Sequence, residues 1–413
     1  RDRMNLYRKA YHVFAVLVFA AGMAVLPFIH LFMKNNSYSL SYIRVLYAMW
    51  LVRTVLSYLL TYRKSLLIAD QKEYIASITG LILNVVSYLA IILLVTWEQN
   101  YLLALGIGTV TEVVLNIWIS WYVEQKYPFL RQRRKEKSTS SLTKRIVRDL
   151  KSLFISRISE KMLYCTDNLI ISGFIGVGTV GRYANYCMIT QAISNILTIL
   201  ANTIQPTVGD YFTEKNRQRN YEILRQLTFG FFCIASVVSV GLFSLITPFV
   251  RDIWLGPSYE LGWGITVFCI VVLLVRIMGL PLSLVMGVTG LFEKEKNVGA
   301  SSALLNLIVS LALVKPYGMA GVLLGTLLSY LLQILYRYII YFRDFLEMPG
   351  EALRYAQDIG EYLAVIAGEV LLMQKIVPLI YGAGGMLLFC VCFLLCIAIP
   401  LLLDLVIFGR GWR

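Results

Sequence analysis

Residues 76–96 read ASITGLILNVVSYLAIILLVT. This run contains no charged side chain, and a helix needs about 20 predominantly apolar residues to cross a bilayer. Of the 413 residues, 58% are hydrophobic and 15% are charged, whereas soluble domains carry about 25% charged residues. The sequence therefore predicts an all-α polytopic membrane protein with about 12 transmembrane helices. We expect spans near 11–33, 43–62, 76–96, 101–121, 161–181, 184–206, 226–250, 264–290, 297–314, 318–341, 362–380 and 384–408.

The net charge of +14 comes from 38 Lys and Arg residues against 24 Asp and Glu residues. Most of the basic residues fall in alternate hydrophilic gaps, and cytoplasmic loops of membrane proteins are the ones enriched in Lys and Arg. We therefore expect a multi-pass membrane protein with both given termini in the cytoplasm. No gap is long enough for a folded nucleic-acid-binding module, so membrane lipids are expected partners and nucleic acid is not.

The longest gap, 122–160, is predicted to be a basic cytoplasmic linker. It contains RQRRKEK at 131–137, and then Leu142, Ile146 and Leu150 recur at helical spacing among basic residues. This pattern is typical of an amphipathic helix that lies on the membrane surface. Binding to anionic lipid explains the charge, and a binding site for a specific partner is the alternative.

Two parts of the chain resemble each other at an offset of about 220 residues. VLPFI at 25–29 matches ITPFV at 246–250, LVR at 51–53 matches LVR at 274–276, LNVVS at 83–87 matches LNLIVS at 305–310, and IGT at 107–109 matches LGT at 324–326. Between these matches, Asp70-Gln71-Lys72 aligns with Glu293-Lys294-Glu295. The order of the matches predicts that spans one to four repeat as spans seven to ten, and parallel repeats of this kind are typical of transporters.

The repeat predicts the domain organisation. We expect a partial N-lobe of four helices at 1–121, a C-lobe of six helices at 161–341, and two additional C-terminal helices at 362–408. Spans five and six precede the second copy without a counterpart before the first. We therefore expect that two further N-terminal spans belong to the protein and are missing from the given sequence.

Two arginines occupy equivalent positions within spans of the two copies. Charged side chains inside a membrane are costly, and they usually mark a polar pathway. Arg53 and Arg276 are therefore candidates to bind a phosphate-bearing substrate in a central cavity, because a guanidinium stays charged and binds phosphate through two hydrogen bonds. The alternative is that each is a structural charge paired with a nearby acid such as Glu112.

Other polar residues within spans are weaker candidates. Asp167 could bind a coupling proton or cation or contact substrate, and otherwise it is an acid favoured near the start of a helix. Glu112 has the same possible roles. Asn84 and Asn306 are equivalent in the repeat, and they either contact sugar hydroxyls in the cavity or bond between helices.

Several kinds of site are not expected. The only histidines are His12 and His30, and the seven cysteines lack the paired spacing of a metal or redox site. The sequence therefore predicts no metal, no cofactor and no catalytic centre. In the last two spans, we expect the ammonium of Lys375 to form a structural ion pair with Glu369 or Asp404.

Three stretches resemble a known family. SLLIADQKEY at 65–74, TDNLIISGFIGVGTVGRYANY at 166–186 and the W-L-G-x-x-Y loop at 254–259 are similar to the polysaccharide-transport proteins of bacteria, the Wzx-type oligosaccharide flippases. That family belongs with multidrug and toxin extrusion pumps and lipid II flippases in one exporter superfamily. The resemblance begins at what would be the family's third span.

The resemblance implies two six-helix lobes around a cavity, followed by two extra helices. It implies transport of an undecaprenyl-diphosphate-linked oligosaccharide from the inner to the outer leaflet, for capsule, exopolysaccharide or O-antigen-like polymers. Polymerase and glycosyltransferases of the same pathway are possible partners. The alternatives are a multidrug exporter of the same superfamily, or a membrane-embedded glycan polymerase or glycosyltransferase.

Overall fold

The computed structural model describes residues 2–32, 39–61, 63–70, 72–98, 100–128, 165–212, 216–289, 291, 296–382 and 385–408. Every regular element in these ranges is helical, which confirms the predicted all-α polytopic class. The predicted amphipathic helix of the linker lies outside the described residues, as do residues 293–295 of the second repeat copy. The chain divides into two compact units, Arg1–Leu150 and Lys151–Arg413, and each is described by itself.

The first unit contains five helices in its described part. They are α1 (Asp2–Val25, followed by a 3-10 turn over Leu26–Phe32), α2 (Leu40–Thr61), the short α3 (Lys64–Ala69), α4 (Glu73–Glu98) and α5 (Tyr101–Lys126).

The second unit contains eight helices in its described part. They are α6 (165–174), α7 (Val177–Phe212), α8 (Arg217–Pro248, continued by a π-helix over Phe249–Trp254), α9 (Trp263–Val288), α10 (Lys296–Tyr317), α11 (Met319–Ile339, continued by a π-helix over Ile340–Leu346), α12 (Pro349–Tyr381) and α13 (Met386–Phe408).

Equivalent helices pack against each other in the same order in the two units. In the first, α1 packs on α2, α2 on α5 and α4 on α5; in the second, α8 packs on α9, α9 on α11 and α10 on α11. The four sequence matches that lie among the described residues also fall at the same places in this order, including LVR on α2 and α9 and the I/LGT tripeptide on α5 and α11. This packing is what a repeat of four spans predicts, although the boundaries of the lobes stay predictions.

Helix geometry changes at the equivalent prolines of the two copies. The α-helical geometry of α1 ends at Val25, and Pro27 lies in the 3-10 turn that follows. In α8 the change comes at Pro248, after which the helix continues as a π-helix from Phe249. Proline lacks the amide donor of the helical ladder and clashes with the preceding turn, so a local change of geometry is expected at both positions.

Among the described residues, ten helices are long and apolar enough to cross a membrane. Of the twelve predicted spans, the two that are not among these ten are α2, which contains Arg44 and Arg53, and α6. The predicted boundary between spans five and six is also misplaced. The helix breaks at Gly176, whose φ of 138° favours glycine, and α7 begins at Val177 rather than near 184.

The two C-terminal helices pack against the second unit through α8. Phe232 of α8 stacks on Tyr362 of α12 with ring centroids 4.3 Å apart, and Phe408 of α13 meets both rings edge-on. Aromatic pairs of this geometry add to the free energy gained by burying their surface. These contacts attach α12 and α13 to the body of the second unit.

Candidate functional site

A buried polar site lies within the second unit, where α6, α10 and α11 meet. Thr326 of α11 donates its hydroxyl to Asp167 Oδ2 of α6 at 2.7 Å. The amide of Asn306 on α10 donates to Thr326 Oγ1 at 2.9 Å and to Asp167 Oδ1 at 3.4 Å. All three side chains are buried, and Asp167 is only 4% exposed. The structure therefore brings together two of the predicted candidates, Asp167 and Asn306, which are 139 residues apart.

Close contact between α10 and α11 forms this site. A methyl group added to Gly321 would overlap the backbone of Leu313, and one added to Gly325 would overlap the Ser310 hydroxyl. Small residues let two helix backbones approach closely within a membrane. Ser310 accordingly reaches across to donate to the carbonyl of Val322 at 3.2 Å.

One oxygen atom of this site has no hydrogen-bond donor. Asn306 Oδ1 is buried and has no hydrogen-bond donor among the described residues. The amide nitrogen of the same side chain donates to the Asp167 carboxylate and to the Thr326 hydroxyl. A carboxylate, an amide oxygen and a hydroxyl are the ligands that a small hard cation prefers, and a carboxylate alone is enough to accept a proton.

The sequence reasoning missed Thr326 and Ser310. Their signal was present, because Asn306 and Ser310 are four residues apart on α10 and Thr326 and Ser329 are three residues apart on α11. Two polar pairs at this spacing on neighbouring helices indicate polar faces that meet. No cluster of three or more His, Cys, Asp or Glu side chains that could hold a metal ion occurs among the described residues.

Arg53 pairs with Glu112 inside the first unit. Its Nε lies 2.6 Å from Glu112 Oε2, and its guanidinium lies 5.1 Å from the ring centroid of Trp50. Gly108 gives the guanidinium room, since a methyl group there would lie 3.2 Å from Arg53 Nη1. Both members of the ion pair are about one-third exposed, at 29% and 31%. The structural pairing that the sequence left open as an alternative is therefore present for Arg53.

Arg276, the equivalent residue in the second unit, has different neighbours. Its guanidinium lies over the ring of Tyr330 at 5.5 Å from the centroid, and the side chain is partly exposed. Ser329 occupies the position equivalent to Glu112, and its hydroxyl donates to the carbonyls of Ser302 and Gly325. A guanidinium favours the face of an aromatic ring, and it can bind phosphate through two N–H groups.

The two asparagines also differ. Asn306 is fully buried between helices, whereas Asn84 is exposed on the surface of α4. The structure therefore does not bring Asn84 together with the other candidates of its unit. It also contradicts the expected ion pair in the last two spans, because Lys375 is exposed and Glu369 accepts a hydrogen bond from Ser236 of α8 at 2.5 Å.

Outside the membrane spans, one polar contact ties the end of α5 to the turn before α4. Tyr127 donates its hydroxyl to Asp70 Oδ2 at 2.5 Å, and the Lys72 ammonium contacts the same carboxylate. The Lys72 hydrogen bond, followed by that of Tyr127, lowers the pKa of the exposed Asp70 carboxyl. This turn belongs to the SLLIADQKEY stretch, whose polar end therefore has a structural role.

Two solved structures share this fold. The lipid II flippase MurJ, in an inward closed conformation, superimposes with a TM-score of 0.69 at 16% identity, covering 100% of this chain and 85% of that chain. A variant of the MATE transporter VcmN from Vibrio cholerae superimposes with a TM-score of 0.52 at 11% identity, covering 85% of this chain and 79% of that chain. At these identities the comparisons establish the fold that the chain shares with these two proteins.

No curated protein sequence matches the chain. A family model does match, however, and it covers half of the sequence, from residue 3 to residue 212. The match includes α1 to α7, with the linker between the two units. The chain therefore belongs to the family of polysaccharide biosynthesis proteins.

Proposed function

We propose that the protein is a flippase that moves an undecaprenyl-diphosphate-linked oligosaccharide repeat unit from the inner to the outer leaflet of the bacterial inner membrane. The observation that carries this proposal is membership of a polysaccharide biosynthesis family by a chain with a transporter fold. A diphosphate and several sugars are too polar to cross hydrocarbon unaided, so surface polymer synthesis needs a protein for this step. The translocated repeat unit would serve the assembly of a capsule, an exopolysaccharide or an O-antigen-like polymer.

Arg276 is the proposed principal contact for the diphosphate. Its guanidinium lies over the ring of Tyr330 at 5.5 Å from the centroid, and the side chain is partly exposed. A guanidinium stays charged and can bind a phosphate through two N–H groups. Arg53 would bind phosphate only by exchanging it for Glu112, so its contact is expected to be transient.

Asp167, Asn306 and Thr326 are the proposed coupling site. Their buried oxygen atoms suit a proton or a small monovalent cation, and binding there would change the packing of α6 against α10 and α11. Asn306 is therefore assigned to coupling rather than to the glycan. Asn84, exposed on α4, stays a predicted contact for the glycan.

Lipid-linked intermediates in a strain that lacks this gene test the transport step. The proposal expects undecaprenyl-linked repeat units to accumulate on the cytoplasmic leaflet while surface polymer disappears. Complementation with wild-type protein should restore polymer, and Arg276→Ala at matched membrane abundance should not. Unchanged polymer with raised drug sensitivity would instead assign the protein to multidrug export. Polymer synthesis by the purified protein without any translocation would assign it to the enzymes of the pathway.

A further inference from the structure

Two carboxyl groups are buried together where the C-terminal helices meet the second unit. Glu369 of α12 is 3% exposed and Asp404 of α13 is fully buried. The three helices that surround them are α8, α12 and α13, and each is long and apolar enough to span the membrane. This position is separate from the Asp167 site, which is built from α6, α10 and α11.

Most of the carboxylate oxygens at this position have no donor. Ser236 of α8 donates to Glu369 Oε2. Glu369 Oε1 and both oxygens of Asp404 are buried without a hydrogen-bond partner among the described residues. An ionised carboxylate accepts hydrogen bonds at both oxygens, and leaving these acceptors unpaired in a buried site is strongly unfavourable.

No positive side chain pairs with the two acids in the described part of the chain. Glu369 Oε1 and both oxygens of Asp404 lack any partner there, and Lys375 of α12 is exposed. The titratable groups that reach the pair are the two carboxyls themselves, from α12 and α13, and the thiol of Cys233 from α8. Two negative charges cannot lie close together in a medium of low dielectric constant, so at least one carboxyl has to be neutral.

Apolar side chains lie on both sides of the two carboxyl groups along the helix axes. On one side lies the aromatic cluster of Phe232, Tyr362 and Phe408. On the other side, one helical turn beyond Glu369, Met373 is fully buried. Water therefore has little access to the carboxyls, and a missing donor is most simply supplied by a proton on one of them.

We propose that Glu369 and Asp404 form a proton-binding site that fastens α12 and α13 to α8. In the bound state one carboxyl donates its O–H to the carboxylate of the other, a short and strong hydrogen bond. Loss of the proton leaves two charges that repel each other and weakens the attachment of the C-terminal helices. The bound ligand is a proton, and no metal ion takes part.

Infrared spectroscopy of the protein in lipid nanodiscs tests this directly, because protonated carboxyl groups have a C=O stretching band that carboxylates lack. The wild-type spectrum at about pH 7 minus that of the Glu369→Gln/Asp404→Asn double variant is expected to contain this band. Glu361→Gln, which changes an exposed acid on the same helix, should remove carboxylate absorption only. A difference spectrum with carboxylate bands alone would overturn the proposal.

A second measurement follows the pH dependence of thermal stability. The thermal unfolding midpoint of the wild-type protein should fall as the pH is raised from about 6 to about 9, together with loss of the protonated band. Where the double variant folds, its midpoint should depend less on pH than the wild-type midpoint does, because the two amides do not titrate; the dependence that remains belongs to other groups such as Asp167. An equal pH dependence in both proteins would contradict the proposal. A midpoint that responds to Na⁺ and not to pH would replace the proton by a metal cation and refute the proposal.

Discussion

Asp167→Asn is the sharpest single test of the proposed coupling site. The substitution keeps the shape of the side chain and removes its charge, so changes in packing are small. Thr326 can still donate to the new amide oxygen. The nitrogen of the new amide, however, faces Asn306 Nδ2, which now donates to Asp167 Oδ1, and two donors then meet in a buried place.

The expected loss of stability is moderate and the expected loss of ion binding is large. A hydrogen bond to a charged group contributes about 1.5–3 kcal/mol, and a buried donor left unpaired costs about 1–3 kcal/mol, so the variant should be destabilised by about 1–3 kcal/mol. A ligand present at about 100 times its Kd stabilises the folded state by about 2.7 kcal/mol. That increment should be present in the wild-type protein and absent in the variant.

Two assays separate these effects. Thermal unfolding in detergent with Na⁺, K⁺ or choline, repeated at several pH values, identifies the ion that stabilises the wild-type protein. Translocation of a lipid-linked oligosaccharide in proteoliposomes, with and without a gradient of that ion, then measures coupling. We expect the variant to fold and to lose at least about tenfold in gradient-driven rate. Asp210→Asn, at an exposed acid of α7, is the matched control.

One result would refute the reasoning. If Asp167→Asn translocates substrate at the wild-type rate with unchanged dependence on ions and pH, the buried network is structural. A variant that fails to fold is separated from this case by Asp167→Glu. Asp167→Glu keeps the charge, and it should retain ion-dependent stabilisation if the carboxylate is a ligand.

Other substitutions test the arginines and the helix contacts. Arg276→Lys keeps the charge but loses the planar contact with phosphate, so the transport rate should fall about tenfold. Arg276→Ala should abolish transport. Arg354→Ala, at the exposed end of α12, is the control and should leave the transport rate unchanged. Gly325→Ala should destabilise the protein by about 1–3 kcal/mol in thermal unfolding, because its methyl group would overlap the Ser310 hydroxyl, whereas Gly241→Ala meets open space and should be neutral. Glu112→Gln should lower stability by less than about 1 kcal/mol, since the ion pair is partly exposed, and should change the substrate affinity measured in the proteoliposome assay.

The fold could be predicted from the sequence because its main signal is local. Apolar runs such as residues 76–96 identify spans without any knowledge of their neighbours. The misplaced break at Gly176 shows the limit of this signal, since both sides of the break are apolar and only the positive φ marks it. The candidate site was harder to predict from the sequence, because Asp167 and Thr326 are 159 residues apart and their contact depends on how three helices pack.

The sequence repeat predicted pairs of equivalent positions as candidate site residues. In the structure, the two members of each pair have different neighbours. Arg53 is paired with Glu112, whereas Arg276 lies on the ring of Tyr330; Asn84 is exposed, whereas Asn306 is buried beside Asp167. A repeat fixes the backbone position of a residue, but its chemistry depends on side chains that each copy carries separately. Equivalent residues of the two units should therefore differ in function. If Arg53→Ala and Arg276→Ala lowered transport equally, the different neighbours of the two arginines would have no functional consequence.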